Sequence, residues 1–506
     1  MAERGYRKEA LSGGILSITS IFFMICVHMV SSPPALLAED ASTAHVNIGL
    51  PKNSLSLQDC IDIARDKNHS RMASKFSIEI AEAQHHQALS GHWPQISNKA
   101  AYSIMDEDPN FVFPAKSFQM PASTFSITLP GPLTIPVNVP ASTYSIPKQN
   151  VKLMDNKNFY NTLSATIPIY TGGRVSAVVK QAEQGMKAAK EEARRTDLQI
   201  TYDVTRYYYG AVLAGELVRI ARDSLARMEV TLELTEKLYT QGSGRVKKTD
   251  YLRNKTVVEW LRSTLKELEG REQLAKAALT NAMGIPWDAP VEPSEKNIPF
   301  TPAKAELKDL ISEAYLFNPD WASLDAGLVA AEAKIREAGS GHLPKIGLFG
   351  SFTHIENSYG QGIVTRENRN SWTVGIGIEI PLFNGLRTVN EVREMRARLG
   401  KLKEQQVLLK EGIALQVKHT FIQMMSAQEQ KNSSEAAALA AEENRSLNER
   451  AYQEELVETK DVIEAQLMES LMKAQYQKSL YDNIEARANL AFVVGREITE
   501  MIQSAR

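Results

Sequence analysis

Side chains that often carry chemistry are present in this chain, but their spacing does not suit catalysis. There is no nucleophile elbow, no phosphate-cradling glycine loop, and no cysteine and histidine cluster at metal-ligand spacing. His85 and His86 are adjacent, so on a helix they point in different directions and are poorly placed to share a metal. His92 and His342 each stand two residues before a proline in matching segments, which marks them as junction residues rather than halves of one metal site. Cys60 is the one cysteine beyond the N-terminal apolar run; it can form no internal disulfide and is expected to pack in a core. Gly375 and Gly377 fall inside a strand pattern, where they ease tight packing rather than cradle a ligand. What remains is charge. Asp461 and Glu464 lie one helical turn apart, and a basic run of Arg245, Lys247 and Lys248 follows Gly242. On an isolated helix such a carboxylate pair is simply solvated. No catalytic residue, metal or cofactor is called for.

The elements that would position these charges are written twice. Leu57 to Ala64 followed by Asn68 returns as Leu307 to Ala314 followed by Asn318. Gly91-His92-Trp93-Pro94 returns as Gly341-His342-Leu343-Pro344, and Ile167-Pro168 through Arg174 as Ile380-Pro381 through Arg387. Asp250 with Leu279 matches Asp461 with Leu490, both 29 residues apart. A long internal repeat of this kind predicts a symmetric assembly. Residues 39–295 form the first unit and 296–506 the second. Ahead of them, Arg4, Arg7 and Lys8, an apolar run from Gly14 to Val30, and small residues up to Ala38 read as an export signal over residues 1–38. With 23% charged residues and a net charge of −2, no electrostatic field selects nucleic acid.

Each unit pairs two periods. Segments 96–104, 159–167, 346–353 and 372–380 alternate with period two, and the last places Trp372, Val374, Ile376, Ile378 and Ile380 on one side. That is the length and pattern of a membrane-crossing strand, although a soluble hairpin with one buried face shares it. Between the first two strands lie 37 residues that the second copy lacks, roughly 106–150, with prolines at 109, 114, 121, 130, 132, 136, 140 and 147. So much proline predicts a long loop without ladder pairing. After each junction the period becomes that of a coiled coil, predicting helices over 174–241 and 387–452 of about 100 Å. In the first, the heptad seam slips through Thr196, Ile200 and Val204, a stutter. Shorter helices from Asp250 to Met283 and Asp461 to Val494 return, each completed by a helix near Leu57–Ser90 or Leu307–Ser340. Four strands cannot close a barrel, and an open edge is costly in lipid, so membrane strands would demand an oligomer. A coiled-coil structural or adhesive trimer without a through-channel is the competing reading.

In the order, duplication and spacing of these segments the chain resembles the TolC-type outer membrane efflux protein family. The resemblance spans residues 39–506 and implies an α+β fold with four membrane β-strands per chain. Three chains would give a 12-stranded barrel in the outer membrane, continued by long antiparallel coiled-coil helices forming a periplasmic α-barrel. It implies a homotrimer in contact with outer-membrane lipid, which serves as passive exit duct for efflux or type I secretion. The partners implied are a periplasmic adaptor (membrane fusion) protein and an inner-membrane RND, ABC or MFS transporter. Asp461 and Glu464 match the paired carboxylates that line the family's periplasmic constriction, and Tyr452 matches a tyrosine that ties it closed. The turn carrying Gly242, Arg245, Lys247, Lys248 and Asp250, with Glu455 on the second hairpin, is implied as the gate or adaptor-docking tip. Glu455 and Val457 depart from the family's glycine and arginine, so Arg245, Lys247 and Lys248 are expected to replace the missing lock by pairing with Glu454, Glu455 or Glu458 of a neighbouring hairpin.

Overall fold

The computed structural model of the chain describes residues 54–242, 246–302, 305–454 and 456–497. The expected export signal, Arg245 and Glu455 lie outside them. Eight α-helices in the described residues fall into two matched sets: α1 Leu57–Lys67, α2 His69–Leu89, α3 Arg174–Thr240 and α4 Lys248–Met283, then α5 Leu307–Phe317, α6 Pro319–Gly339, α7 Arg387–Gln453 and α8 Thr459–Val494. The copies agree to the residue: α3 and α7 are both 67 residues long, α4 and α8 both 36. At 1.5 Å per residue the long helices reach about 100 Å.

Four strands make one antiparallel sheet: β1 Gln95–Ile104, β2 Lys157–Tyr170, β3 Lys345–Asn357 and β4 Asn370–Glu379, in the order β4-β3-β2-β1. The register sorts the side chains cleanly. Paired across the strands on one face are Ile96 with Ala165, Tyr102 with Phe159, Leu163 with Phe352, Ile167 with Leu348, and then Trp372, Val374, Ile376 and Ile378 opposite Phe352, Gly350, Leu348 and Ile346. The other face carries Ser97, Lys99, Ser164, Thr162, Ser351, Thr353, Thr373 and Ser371. The apolar face is uncovered within the chain, with Trp372 75% and Ile376 61% exposed. Aromatic residues mark both of its ends, Tyr102, Phe159 and Trp372 toward the hairpin tips and Tyr170 at the helix end. Eleven steps from Phe159 to Tyr170, at about 3.3 Å each and a tilt of about 40°, cover roughly 28 Å, the height of a bilayer-facing band. Gly375 has the packing role expected of it: a Cβ there would lie 2.6 Å from the ring of Phe349, which lies across it on the polar face.

Two sequence expectations are corrected. The segments near Leu57–Ser90 and Leu307–Ser340 are each two helices, broken at Asn68 and Asn318. Both asparagines are extended (ψ 123°), and their side-chain oxygens accept the N–H of Ser70 and of Asp320 to start a new helix. Pro319 enforces the second break by disfavouring helical geometry in the residue before it. The other half of each asparagine amide reaches a different helix end: Asn68 Nδ2 donates to Ala282 O at 2.8 Å and Asn318 Nδ2 to Val493 O at 2.9 Å. The C-terminus of α4 is thus spliced to the N-terminus of α2, and that of α8 to α6, giving composite rods beside α3 and α7. The splice needs glycine. Gly284 (φ 72°) and Gly495 (φ 86°) are left-handed, and a Cβ on either would run into the backbone of the partner joint, 2.8 Å from Asn68 Cα and 2.9 Å from Asn318 Cα.

The second correction concerns the proline-rich insertion, which is laddered after all. It forms a two-stranded ribbon in three lengths, Asn110–Phe113 with Gln149–Lys152, Lys116–Met120 with Ser142–Ile146, and Ser123–Thr128 with Thr134–Val139. The prolines share the gaps, Pro114 with Pro147 and Pro121 with Pro140, each pair one position away from direct opposition, so both strands are interrupted at nearly the same level. Pro136 alone lies within a ladder, opposite Ser126; in a two-stranded ribbon every second N–H faces away from the partner, and a proline there costs no bond.

Two apolar cores sit where the rods are spliced. One joins Cys60, Ile61 and Ala64 of α1 to Val204, Tyr208 and Val212 of α3 and Leu279 and Met283 of α4. The other joins Leu310 and Ala314 of α5 to Val417 and Met424 of α7 and Leu490 and Val494 of α8. The stutter of α3 coincides with the first: through Ile200, Thr201, Val204, Thr205, Tyr208 and Tyr209 the helix is buried on more than one side. Cys60 is fully buried, as expected, and burial with Asp59 nearby pushes its thiol up to about 12.

Candidate gate at the helix tips

Away from the sheet, the helices form a layer in the order α4-α3-α8-α7. Its free end consists of the turns α3 to α4 and α7 to α8, where the sequence candidates cluster. Asp250 and Asp461 are each the third residue of a return helix. Their carboxylates accept the backbone N–H of Lys247 at 3.0 Å and of Glu458 at 3.1 Å. Each starts its helix by holding one of the otherwise unpaired N–H groups. Glu464 is exposed one turn further along α8, and Lys247 and Lys248 are exposed on the first turn. Lys460 pairs with Glu458 at 3.1 Å, and that carboxylate, with Asp461 behind it, raises the lysine's pKa. Among the described residues Lys247 and Lys248 make no ion pair with Glu454 or Glu458 of the same chain.

Tyr452 is buried. Its hydroxyl lies 3.0 Å from Thr459 Oγ1 and 3.3 Å from Thr235 Oγ1, so it joins the tip of the second hairpin to α3 of the first. Asn254 of α4 donates to the same Thr235 oxygen at 3.4 Å. On the first hairpin the equivalent Tyr239 instead stacks on Tyr251, with ring centroids 6.0 Å apart.

Behind Tyr452 runs a buried polar seam that the sequence reading missed. Gln466 donates to Thr231 at 3.1 Å and to Glu449 at 2.8 Å. One turn on, Glu469 is wholly buried and meets three cations: Arg227 of α3 at 3.1 Å, Arg445 of α7 at 2.9 Å and Lys473 at 2.8 Å. Ser470 then donates to Ser224 at 2.8 Å. The corresponding seam of the first hairpin is apolar, built from Met228, Val258 and Leu261 with Leu225 and Leu232, and Ile463 and Leu467 of α8 pack into the same cluster. The repeat itself carries the signal. Because the helices match residue for residue, Glu469 occupies the place of Val258, and Arg445 that of Leu232. An ion pair in copy two replaces a hydrophobic contact in copy one. The α7–α8 hairpin is thus joined to α3 by a buried polar network beside the apolar contact of Ile463, and every member of such a network is costly to leave unpaired.

The chain has relatives. The family model described as outer membrane efflux protein matches residues 137–285 and 310–496. The alkaline protease secretion protein AprF of Pseudomonas aeruginosa is 26% identical over 258 residues, 49% of this chain and 51% of that protein. The pyoverdine export outer membrane protein OpmQ of the same organism is 27% identical over 249 residues, again 49% and 51%. The matched segment thus spans about half the length of these curated relatives. Among solved structures, the outer membrane protein VceC of Vibrio cholerae superposes with a TM-score of 0.67 at 17% identity, covering 87% of this chain and 96% of that one. A likeness of that extent establishes the shared TolC-type α+β fold.

Proposed function

This chain belongs to the outer membrane efflux protein family, and from that membership we propose that it works as a homotrimeric channel, the passive exit duct of an efflux or secretion pathway. Members of this family are outer-membrane channels with a periplasmic part, not enzymes. The observation that carries the trimer is the sheet: four strands with an uncovered apolar face of bilayer height and two unpaired edges, β1 and β4. Pairing β1 of one chain with β4 of the next removes every edge, and three chains give a closed 12-stranded barrel, as lipid requires. The helical layer supports the same closure. Its outer helices expose apolar residues, Met72, Phe76 and Ile80 on α2 and Leu408, Leu415 and Ile422 on α7. Residues 39–295 and 296–506 are then six near-equivalent units around one pore.

At the far end, Asp461 and Glu464 of three chains form a carboxylate ring, and the tips at Gly242, Arg245, Lys247, Lys248, Asp250 and Glu455 meet the adaptor. The adaptor in turn joins an inner-membrane transporter. Tyr452 and the polar seam behind it hold the second hairpin in its closed position, while Lys247 and Lys248 reach Glu454 or Glu458 of a neighbouring chain. The test is conductance in planar bilayers. The channel is expected to pass ions, to be blocked by trivalent cations in a manner that Asp461→Asn with Glu464→Gln abolishes, and to open more often in Lys247→Glu/Lys248→Glu. A purified trimer that conducts nothing would favour the structural or adhesive reading instead.

A further inference from the structure

The two hairpins of the sheet share one register. In the first, the ladder runs from Gln95 opposite Thr166 to Ile104 opposite Lys157; in the second, from Lys345 opposite Glu379 to His354 opposite Asn370. Each residue of β1 therefore has a counterpart in β3, and each residue of β2 one in β4, without slip. Between the hairpins lies an inner seam, β2 against β3, from Leu348 opposite Ile167 to Asn357 opposite Asn158. Its copy would join β4 to β1, the two free edges at opposite ends of the sheet. Another chain is needed to form it. The surface fits that absence. Tyr170, opposite Ile346 in the inner seam, is 42% exposed, whereas its counterpart Phe383 is 81% exposed. Leu343 is 41% exposed and its counterpart Trp93 69%. A Cβ on Gly172 would lie 2.9 Å from Leu343 and from Ser340, whereas Gly385, its counterpart with the same φ of 66°, faces open space.

We propose that the next chain docks on β4 in the register of the inner seam, so that its Lys99 stands directly opposite Glu379. This deepens the trimeric reading above and rests on it. Carried over, Gly350–Ala165 becomes Ala100–Ile378, Phe352–Leu163 becomes Tyr102–Ile376 and His354–Asn161 becomes Ile104–Val374, so apolar side chains again share the outer face. On the polar face one pair changes character. Phe349 opposite Thr166 becomes Lys99 opposite Glu379, a cation and an anion where the inner seam has no charge. Within the chain Glu379 reaches only Lys345, at 3.6 Å, and stays largely exposed, as does Lys99. Directly opposite residues of an antiparallel pair have Cβ atoms about 4.5–5.5 Å apart, which lets the two charges meet. Lys99 also stands at the middle of β1. A two-fold pairing of β1 with β1 would set it against itself, so the charges favour a head-to-tail ring over a two-fold dimer. The helices repeat the pattern. Gln181 of α3 donates to Glu337 of α6 at 2.8 Å. Their counterparts are Glu394 of α7 and Gln87 of α2, the same amide and carboxylate with places exchanged, and both are exposed in the chain. With α7 of one chain beside α2 of the next, that bond is remade.

The experiment uses the full-length protein. One variant carries Ala100→Cys with Ile378→Cys, directly opposite in this register; another carries Ala100→Cys with Val374→Cys, four residues out of step and about 13 Å away. Within one chain β1 and β4 are about 14 Å apart, beyond disulfide reach, and Cys60 is buried. Oxidation is expected to link chains into dimers and trimers from the first pair only. Lys99→Glu sets two carboxylates opposite at each of three seams. It is expected to lower the trimer association constant about a hundredfold, about fivefold per seam, read by sedimentation in detergent. Glu379→Gln is expected to weaken the otherwise unaltered trimer and to strengthen the Lys99→Glu one. Links from the offset pair, links from neither pair, or a Glu379→Gln effect of the same sign in both backgrounds overturns this register in a protein that light scattering shows to be trimeric, and leaves the trimer standing. A monomer overturns the trimeric reading, and this inference with it.

Discussion

Replacing Glu469 by glutamine tests whether the buried polar seam holds the second hairpin to α3. The carboxylate is completely buried and within 3.1 Å of Arg227, Arg445 and Lys473. After the change, Arg445 keeps Glu449 at 2.6 Å and Lys473 keeps Glu442 at 3.4 Å, but Arg227 has no other ion-pair partner among the described residues. Removing one member of a buried pair costs about 3–5 kcal/mol. Arg227 and Lys473 are each about a third exposed, 31% and 34%, so water recovers part of that. A loss of roughly 2–4 kcal/mol follows. For the 453 residues of the folded unit, about 2.1 cal/mol/K per residue gives an unfolding entropy near 0.95 kcal/mol/K, so ~3 kcal/mol lowers Tm by about 3 °C. Function amplifies the same quantity. If opening parts α8 from α3, the closed state alone loses ~3 kcal/mol, and the opening equilibrium shifts by about 10²-fold. The assays are helical melting of the purified protein and open probability in bilayers. The pair Arg445→Leu with Glu469→Val puts the residues of the first hairpin's apolar cluster, Leu232 and Val258, at the matching places of the second; it should recover part of the melting temperature and of the closed state, with Arg227 still lacking its partner. A Glu469→Gln protein that melts and opens like wild type, or a double variant no better than the single one, would refute the role given to this seam.

Two further outcomes follow from the joints. Gly495→Ala should cost at least ~2 kcal/mol, since left-handed geometry alone is worth about 1–2 kcal/mol for a residue with a Cβ and the added carbon meets backbone that cannot swing away; a raised rate of proteolysis near Asn318 would report it, and an unchanged digestion pattern would count against the splice. For Cys60 the sign runs toward alkali. Its thiol binds a proton more tightly in the folded chain, about 12 against 9.0, so its contribution is full below pH 9 and falls by about 1.4 kcal/mol per unit above it. Wild type should therefore lose stability between pH 9 and 11 faster than Cys60→Ala, and parallel curves would show that the buried thiol is not titrating.

The rods and strands were legible because periodicity reports them directly: helices expected over 174–241 and 387–452 run 174–240 and 387–453, and every strand was found within four residues of its expected ends. What misled was counting residues without their partners. Prolines were weighed by density, and only the register reveals that Pro114 and Pro147, or Pro121 and Pro140, stop the ladder together and leave it free between. Asn68 looked like part of one helix, because its second hydrogen bond goes to a residue far along the chain. Glu469 and Arg445 resemble surface charges in a chain that is 23% charged; aligning the copies onto Val258 and Leu232 is what exposes them. Asp461 was legible as a tip carboxylate, but not as the group that starts its helix.

The spliced rods also constrain how the molecule is made. Asn68 waits for Ala282, 214 residues later, and Asn318 for Val493, 175 residues later. Contacts of such separation form slowly, because a long stretch of chain must be ordered before they return anything. A polypeptide emerging N-terminus first therefore carries α1 and α2 unfinished until more than half of it has been delivered, and α5 and α6 until Gly495 arrives. The second rod is closed only when Val493 at the end of α8 reaches Asn318, so a chain interrupted within α8 would keep its long helices and lack the joint that completes that rod.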